Sequence, residues 1–201
     1  MKLVTLIEPI TAGTKLTGAA VGLVDDQGTL KFQWTAKPED FARSPVVSAL
    51  PLKSGRYRVR VAVITDSGAT GAVDYSLVGA LDEAPPLKMG TMVLGMGAQN
   101  GFSPKLQFTS QDQMAVGLLE LYNVPKGANV VSTFEILEND SAAPLGQGQG
   151  NVGPGAGDDA RITYGGFGIT TLQPGDYIMR ATISVDGKVV GKTTRTLRKV
   201  N

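Results

Sequence analysis

The pattern Leu-x-x-Gly-x-Tyr-x-x-Arg is written twice in this chain, as LKSGRYRVRVAV at residues 52–63 and LQPGDYIMRATI at residues 172–183. Each copy runs on through alternating apolar and polar residues, a glycine-containing turn and a second alternating run. In the first copy Tyr57, Val59, Val61 and Val63 fall on one face, and Arg58 and Arg60 on the other. That period of two is the signature of a half-buried antiparallel strand. In each copy the leucine plugs a core and the glycine takes a tight turn. The tyrosine ring packs while its hydroxyl ties down the connection.

A tyrosine in that place, near the start of the penultimate strand, is the tyrosine corner of immunoglobulin-like sandwiches. Tyr57 and Tyr177 are therefore assigned as structural corners of two sandwiches, not as ligand contacts. Further strand signals surround them. Residues 4–10 and 46–52 read as strands, and residues 19–34 as a hairpin around Asp26-Gln27-Gly28. Residues 65–71 form a turn and residues 72–78 the return strand, while Pro38 and two following acids suit one helical turn. Residues 79–90, with two adjacent prolines, read as a linker. Beyond it MVLGM, PKLQFTS, QMAVGLLELYNV, ANVVSTFEILE, ARITYGGFGITTL, DYIMRATISV and KVVGKTTRTLRKV read as strands, with an Asp186-Gly187 hairpin turn. No segment sustains a 3.6-residue period. The expectation is an all-β chain of two tandem immunoglobulin- or fibronectin-III-like β-sandwich domains, at residues 1–81 and 91–201, with residues 82–90 linking them.

Composition narrows the chemistry. The 201 residues include 26 glycines and 11 prolines, as many short strands and turns require, and 42% are hydrophobic, enough for packed cores. Cysteine and histidine are both absent. Their absence removes disulfides, thiolate nucleophiles, most zinc and copper sites and the usual serine hydrolase. With 19 basic and 18 acidic residues, no long-range field draws nucleic acid or anionic lipid. No stretch approaches the ~20 apolar residues of a membrane-spanning helix. The opening MKLVTLIEPI has too short an apolar run for a signal peptide, so the chain is read as a fragment of a longer protein.

Several motifs admit a plainer reading than chemistry. GQGNVG at residues 148–153 matches a dinucleotide-binding glycine pattern, but GPGAGDD follows it where a helix would have to start, so it reads as a flexible loop. LGMGAQNG at residues 94–101 reads as a turn opening the second domain. Asp158 and Asp159 are the acidic pair to which a calcium ion would go; no Asp-x-Asp-x-Asp-Gly pattern supports one, and turn formation is the preferred role. Lys192, Arg195, Arg198 and Lys199 fall on no single face and read as protection of an edge strand. Asn139-Asp140-Ser141 is a formal glycosylation sequon. Catalytic carboxylates are the third and weakest reading, since no pair stands out.

Residues 41–80, followed by PPLKMGTMVLGM, resemble the region after the von Willebrand factor A-type domain in bacterial VWFA-related proteins of the Acidobacteria kind. The closing LQPGDYIMRATISVDGKVVGKTTRTLRKV is similar to their final β module. The Asp-x-Ser-x-Ser metal motif of the A-type domain is missing here, so metal-dependent adhesion does not carry over. The resemblance implies accessory β-sandwich modules of an exported protein, in the periplasm, at the cell surface or secreted. The favoured function is a noncatalytic structural or protein-interaction module without cofactor or metal, binding a protein partner or a neighbouring domain of its parent chain. The alternative is a carbohydrate- or small-ligand-binding module using Trp34 and Phe32.

Overall fold

The computed structural model describes residues 1–9, 11, 13–98 and 101–201. The chain divides into two compact units, Met1–Ala80 and Leu81–Asn201. Both are β-sandwiches of the immunoglobulin/fibronectin-III kind, and the protein is all-β.

The first unit contains β1 (Lys2–Ile7), β2 (Leu16–Asp25), β3 (Leu30–Thr35), β4 (Val46–Pro51), β5 (Gly55–Thr65) and β6 (Thr70–Gly79). One 3-10 turn, Pro38–Ala42, lies between β3 and β4. Four strands form an antiparallel sheet in the order β3-β2-β5-β6, and β1 pairs with β4 in a second sheet. Alternation sends Ala19, Val21 and Leu23 of β2 and Val59 and Val61 of β5 inward, against Ile7, Val46 and Leu50.

The second unit contains β7 (Asp82–Ala84), β8 (Leu87–Met89), β9 (Val93–Ala98), β10 (Gly101–Pro104) and β11 (Met114–Tyr122). It continues with β12 (Val130–Leu137), β13 (Gly146–Gln149), β14 (Asn151–Pro154), β15 (Arg161–Gly168), β16 (Gly175–Val185) and β17 (Lys188–Lys199). One sheet has the order β10-β9-β11-β15-β14, with β8 also on β11 and β7 on β8; the other is β13-β12-β16-β17. At the β16–β17 turn, Asp186 and Gly187 have φ of 50° and 81°, the double positive φ of a type I′ hairpin.

Five sequence expectations are corrected. Residues 82–90 are not a linker. They form the β7–β8 hairpin of the second unit, and Ala84, Leu87 and Met89 are buried in its core. The Pro85-Pro86 pair supplies the turn rather than a break between domains. GQGNVG is not a flexible loop: β13 pairs with β12 and β14 with β15, so the chain changes sheets at Gly150. Glycine is there for closeness, because a Cβ on Gly150 would lie 2.6 Å from the Phe134 ring. LGMGAQNG is strand on both sides of residues 99–100, which themselves lie outside the described residues. PKLQFTS contributes only the end of β10 and one isolated bridge, Phe108 to Lys199. Finally, Lys199 is not part of an exposed basic edge. It is 5% exposed, and its ammonium donates to the carbonyl of Ile169.

The repeated pattern occupies the same place in both units. The Tyr57 hydroxyl donates to the Lys53 carbonyl at 3.2 Å, and the Tyr177 hydroxyl to the Gln173 carbonyl at 3.0 Å. Each bond ties the start of a strand, β5 or β16, to the loop before it. Tyr57→Phe and Tyr177→Phe should each lower unfolding free energy by about 0.5–1.5 kcal/mol, the net worth of one hydrogen bond, as read from urea melts. Gly165→Ala should cost more. Its Cβ would fall 2.5 Å from the ring of the fully buried Phe134, and overpacking of that kind costs about 1–3 kcal/mol in the same assay.

Candidate interaction surface

Directly opposed residues of an antiparallel pair share a face. On the inward face of β5 lie Tyr57, Val59, Val61 and Val63, opposite Leu77, Tyr75, Val73 and Gly71 of β6. The β5 members Val59 and Val61 are buried, yet Tyr75 is 62% and Val73 48% exposed. The cause is sheet width. Two strands, β1 and β4, face a sheet of four. The lid covers the middle of the wide sheet and leaves the inward side of β6 in water.

The other edge strand shows a milder form of the same effect. Trp34 lies opposite Val21 and Phe32 opposite Leu23, so both ring systems share the core-facing side of β3. Trp34 packs against the first core, while Phe32 is 39% exposed. The two residues read from the sequence as ligand contacts are thus neighbours on one face.

Charge lies on the outward side. Arg60 holds Asp74 through two bonds across the β5–β6 pair, Nε to Oδ1 at 2.9 Å and Nη2 to Oδ2 at 2.6 Å. That pairing keeps the Asp74 carboxyl below its ordinary range. At the β2–β3 turn, Lys31 sits 2.7 Å from Asp25 and its hydrogen bond lowers that carboxyl likewise. A hollow between these features is lined by Asp25, Asp26, Arg56, Arg58 and Leu77 among others. It is open and mixed in polarity, unlike the enclosed apolar pocket of a small-molecule site.

In the second unit, a shallow hollow along β14 and the following turn includes Asp158 and Arg161. The Arg161 guanidinium donates to the backbone carbonyl of Asp158 at 3.1 Å, so a cation is already seated beside that acid. The Asp159 carbonyl accepts the N–H of Val124 at 2.8 Å. Among the described residues, no three acidic side chains gather as a calcium ion would need.

The sequence reading missed Val73 and Tyr75. Their alternation was visible, but it marks only which face they share. Their exposure depends on how many strands lie opposite, which no local pattern in β6 reports.

The loop after β10 carries an ion pair with a buried carboxylate. Lys105 Nζ lies 2.5 Å from Asp112 Oδ1, and the Thr109 N–H donates to Oδ2 at 2.7 Å. Burial pushes the Asp112 carboxyl up, but Lys105 and Thr109 outweigh it and leave the net shift downward. A carboxyl lowered on folding adds stability above its unfolded value and loses it as pH falls. Stability from Asp112 should therefore be complete at neutral pH and fade below the ordinary value of 3.8. Asp112→Asn should flatten that part of the acid-unfolding curve, followed by circular dichroism.

No family model and no curated protein matches the chain. Among solved structures, it is similar to the fibronectin(III)-like modules of Clostridium thermocellum CbhA, at 8% identity over 98% of this chain and 95% of that one, with a TM-score of 0.27. It is also similar to the C-terminal domain of the Streptococcus agalactiae AgI/II polypeptide BspA, at 13% identity over 100% of this chain and 83% of that one, with a TM-score of 0.31.

Proposed function

We propose that the chain is a noncatalytic protein-interaction module, accessory to another domain of an exported bacterial protein. The observation that carries this reading is the inward side of β6, where Val73 and Tyr75 stand in water beside a packed core. A contiguous apolar surface of that kind marks a place where something binds. The lack of histidine and cysteine and the open, mixed hollows support a role without chemistry. Among the described residues, no helix is long and apolar enough to cross a membrane. The resemblance to the region after the A-type domain of VWFA-related proteins supports placing the module in the periplasm, at the cell surface or outside the cell.

A second reading, carbohydrate binding, is favoured by one observation: the half-open aromatic pair Phe32 and Trp34 on one face of β3. The two readings separate in one experiment. The immobilised chain, incubated with bacterial envelope extract, should retain discrete proteins, and a glycan array should stay at background. Glycan binding without protein retention would replace the first reading by the second.

A further inference from the structure

We infer that the outward face of the first four-stranded sheet binds an acidic peptide segment in extended conformation, with carboxylates of alternate residues held by Arg56 and Arg58. This site lies on the other side of β5 and β6 from Val73 and Tyr75, and it goes beyond the reading above. Alternation along β5 sends Arg56, Arg58 and Arg60 outward in a row. Successive members of the row are about 7 Å apart along the strand. Arg60 is matched: it opposes Asp74 and holds that carboxylate through two bonds. Arg58 opposes Val24 on β2 and Ser76 on β6, and Arg56 opposes Val78. Among the described residues, neither the Arg56 nor the Arg58 guanidinium has an ion-pair or hydrogen-bond partner. Arg58 only adds its field to the Arg60 bond that holds the Asp74 carboxyl down.

The rest of the molecule shows what such arginines take. Arg180 opposes Glu135 and bonds to it at 2.7 Å. Arg198 opposes Asp176 and bonds to it twice, each time at 2.8 Å. With Arg60 and Asp74, these are cross-strand arginine–carboxylate pairs on both four-stranded sheets. Tyr57 opposes Leu77 as Tyr177 opposes Leu197, which sets the two registers side by side. In that register Arg60 corresponds to Arg180, Arg56 to Asp176 and Val78 to Arg198. The second unit therefore closes its charges within the chain at the places where the first leaves Arg56 without a counter-ion.

A guanidinium grips a carboxylate through two parallel N–H donors, the arrangement already present at Arg60 and Arg198. An extended chain repeats its side-chain direction every second residue, also about 7 Å, so acids at alternate positions meet Arg56 and Arg58 together. The hollow at this end of the sheet is lined by Arg56, Arg58, Asp26 and Ser76 among others. Its other acid, Asp25, is taken up by Lys31 and by the N–H groups of Gln27 and Thr29. Two arginines against Asp26 leave one positive charge in surplus, which favours an anionic occupant. The aromatic side chains of this sheet, Phe32, Trp34, Tyr57 and Tyr75, share the inward side by register. The outward side therefore offers a sugar ring no aromatic face to stack on, and an acidic peptide fits it better than an acidic glycan.

The test uses residues 1–201 and two fluorescein-labelled octapeptides of threonine, each carrying two aspartates. One threonine separates the aspartates in the first peptide and two in the second, so charge is equal and only the first puts both acids on one side of an extended chain. Fluorescence anisotropy should show saturable binding of the first peptide, weakened by added salt, and weaker binding of the second. The double variant Arg56→Gln/Arg58→Gln should bind the first peptide roughly ten-fold more weakly or worse, with its circular dichroism unchanged. Arg198→Gln, which removes an arginine already matched, should leave the affinity as it was. Asp26→Asn should tighten binding, because it removes an acid that lines the hollow. The proposal is overturned if the first peptide fails to bind, if both peptides bind equally, or if the double variant binds as the wild type does. A polyuronate that binds more tightly than the peptide also overturns it, by making an acidic glycan the ligand. The parent protein separates two sources of the segment. Refusal of a peptide that residues 1–201 accept places the acid in the parent's own chain, and acceptance places it in a partner; both uphold the site.

Discussion

Phe134 lies between the two sheets of the second unit with no solvent contact, and the neighbouring backbone has been cleared to admit it. A Cβ on Gly165 would lie 2.5 Å from the ring and one on Gly150 2.6 Å away. Burial of a phenylalanine side chain contributes about 1.5–3 kcal/mol, but only where both sheets reach across it. Closure of two apolar faces over each other is the constraint on which the rest of this molecule depends. Gly150 is also where the chain leaves one sheet for the other, so the residue that admits the ring also permits the crossing.

The first unit obeys the same constraint over a narrower area. Its lid of two strands suffices to bury Val21, Leu23, Val59 and Val61 at the centre of the wide sheet. It does not reach the edges, so residues patterned for burial on β6 remain in water. Exposure there comes from the architecture rather than from the composition of the strand. Val73, Tyr75 and Leu77 keep the same alternation as the buried Val59 and Val61 beside them.

How far the sequence can be read follows from where its signals are local. The repeated Leu-x-x-Gly-x-Tyr stretch, the period-two runs and the Asp186-Gly187 turn each depend on a few adjacent residues, and all are legible as strand and turn. The misread segments depend on residues far away. GALDEAPPLKMG has linker composition, yet Ala84, Leu87 and Met89 meet a core built by β11, β12 and β17. GQGNVG reads as loop because its glycines have no side chains to show a face, and their role depends on Phe134. Lys199 looks like part of a basic tail until its position beside Leu197 at the buried end of β17 is known. The candidate surface was the least legible, because it is defined by strands that are not opposite it.

The two outer strands β6 and β17 hold equivalent positions and carry opposite surface chemistry. β17 presents Lys192, Arg195 and Arg198 to water, and such charges discourage pairing with a stray strand. β6 presents Val73, Tyr75 and Val78, the last 66% exposed, and its one charged residue, Asp74, is neutralised by Arg60. An exposed, uncharged edge of ten residues is costly to leave open, since it invites unselective aggregation. Val73 and Tyr75 lie on the inward side of β6 and Val78 on the outward side, so the strand carries apolar side chains in water on both of its faces, and only the bulk of the sheet behind it, not its own composition, limits what can approach.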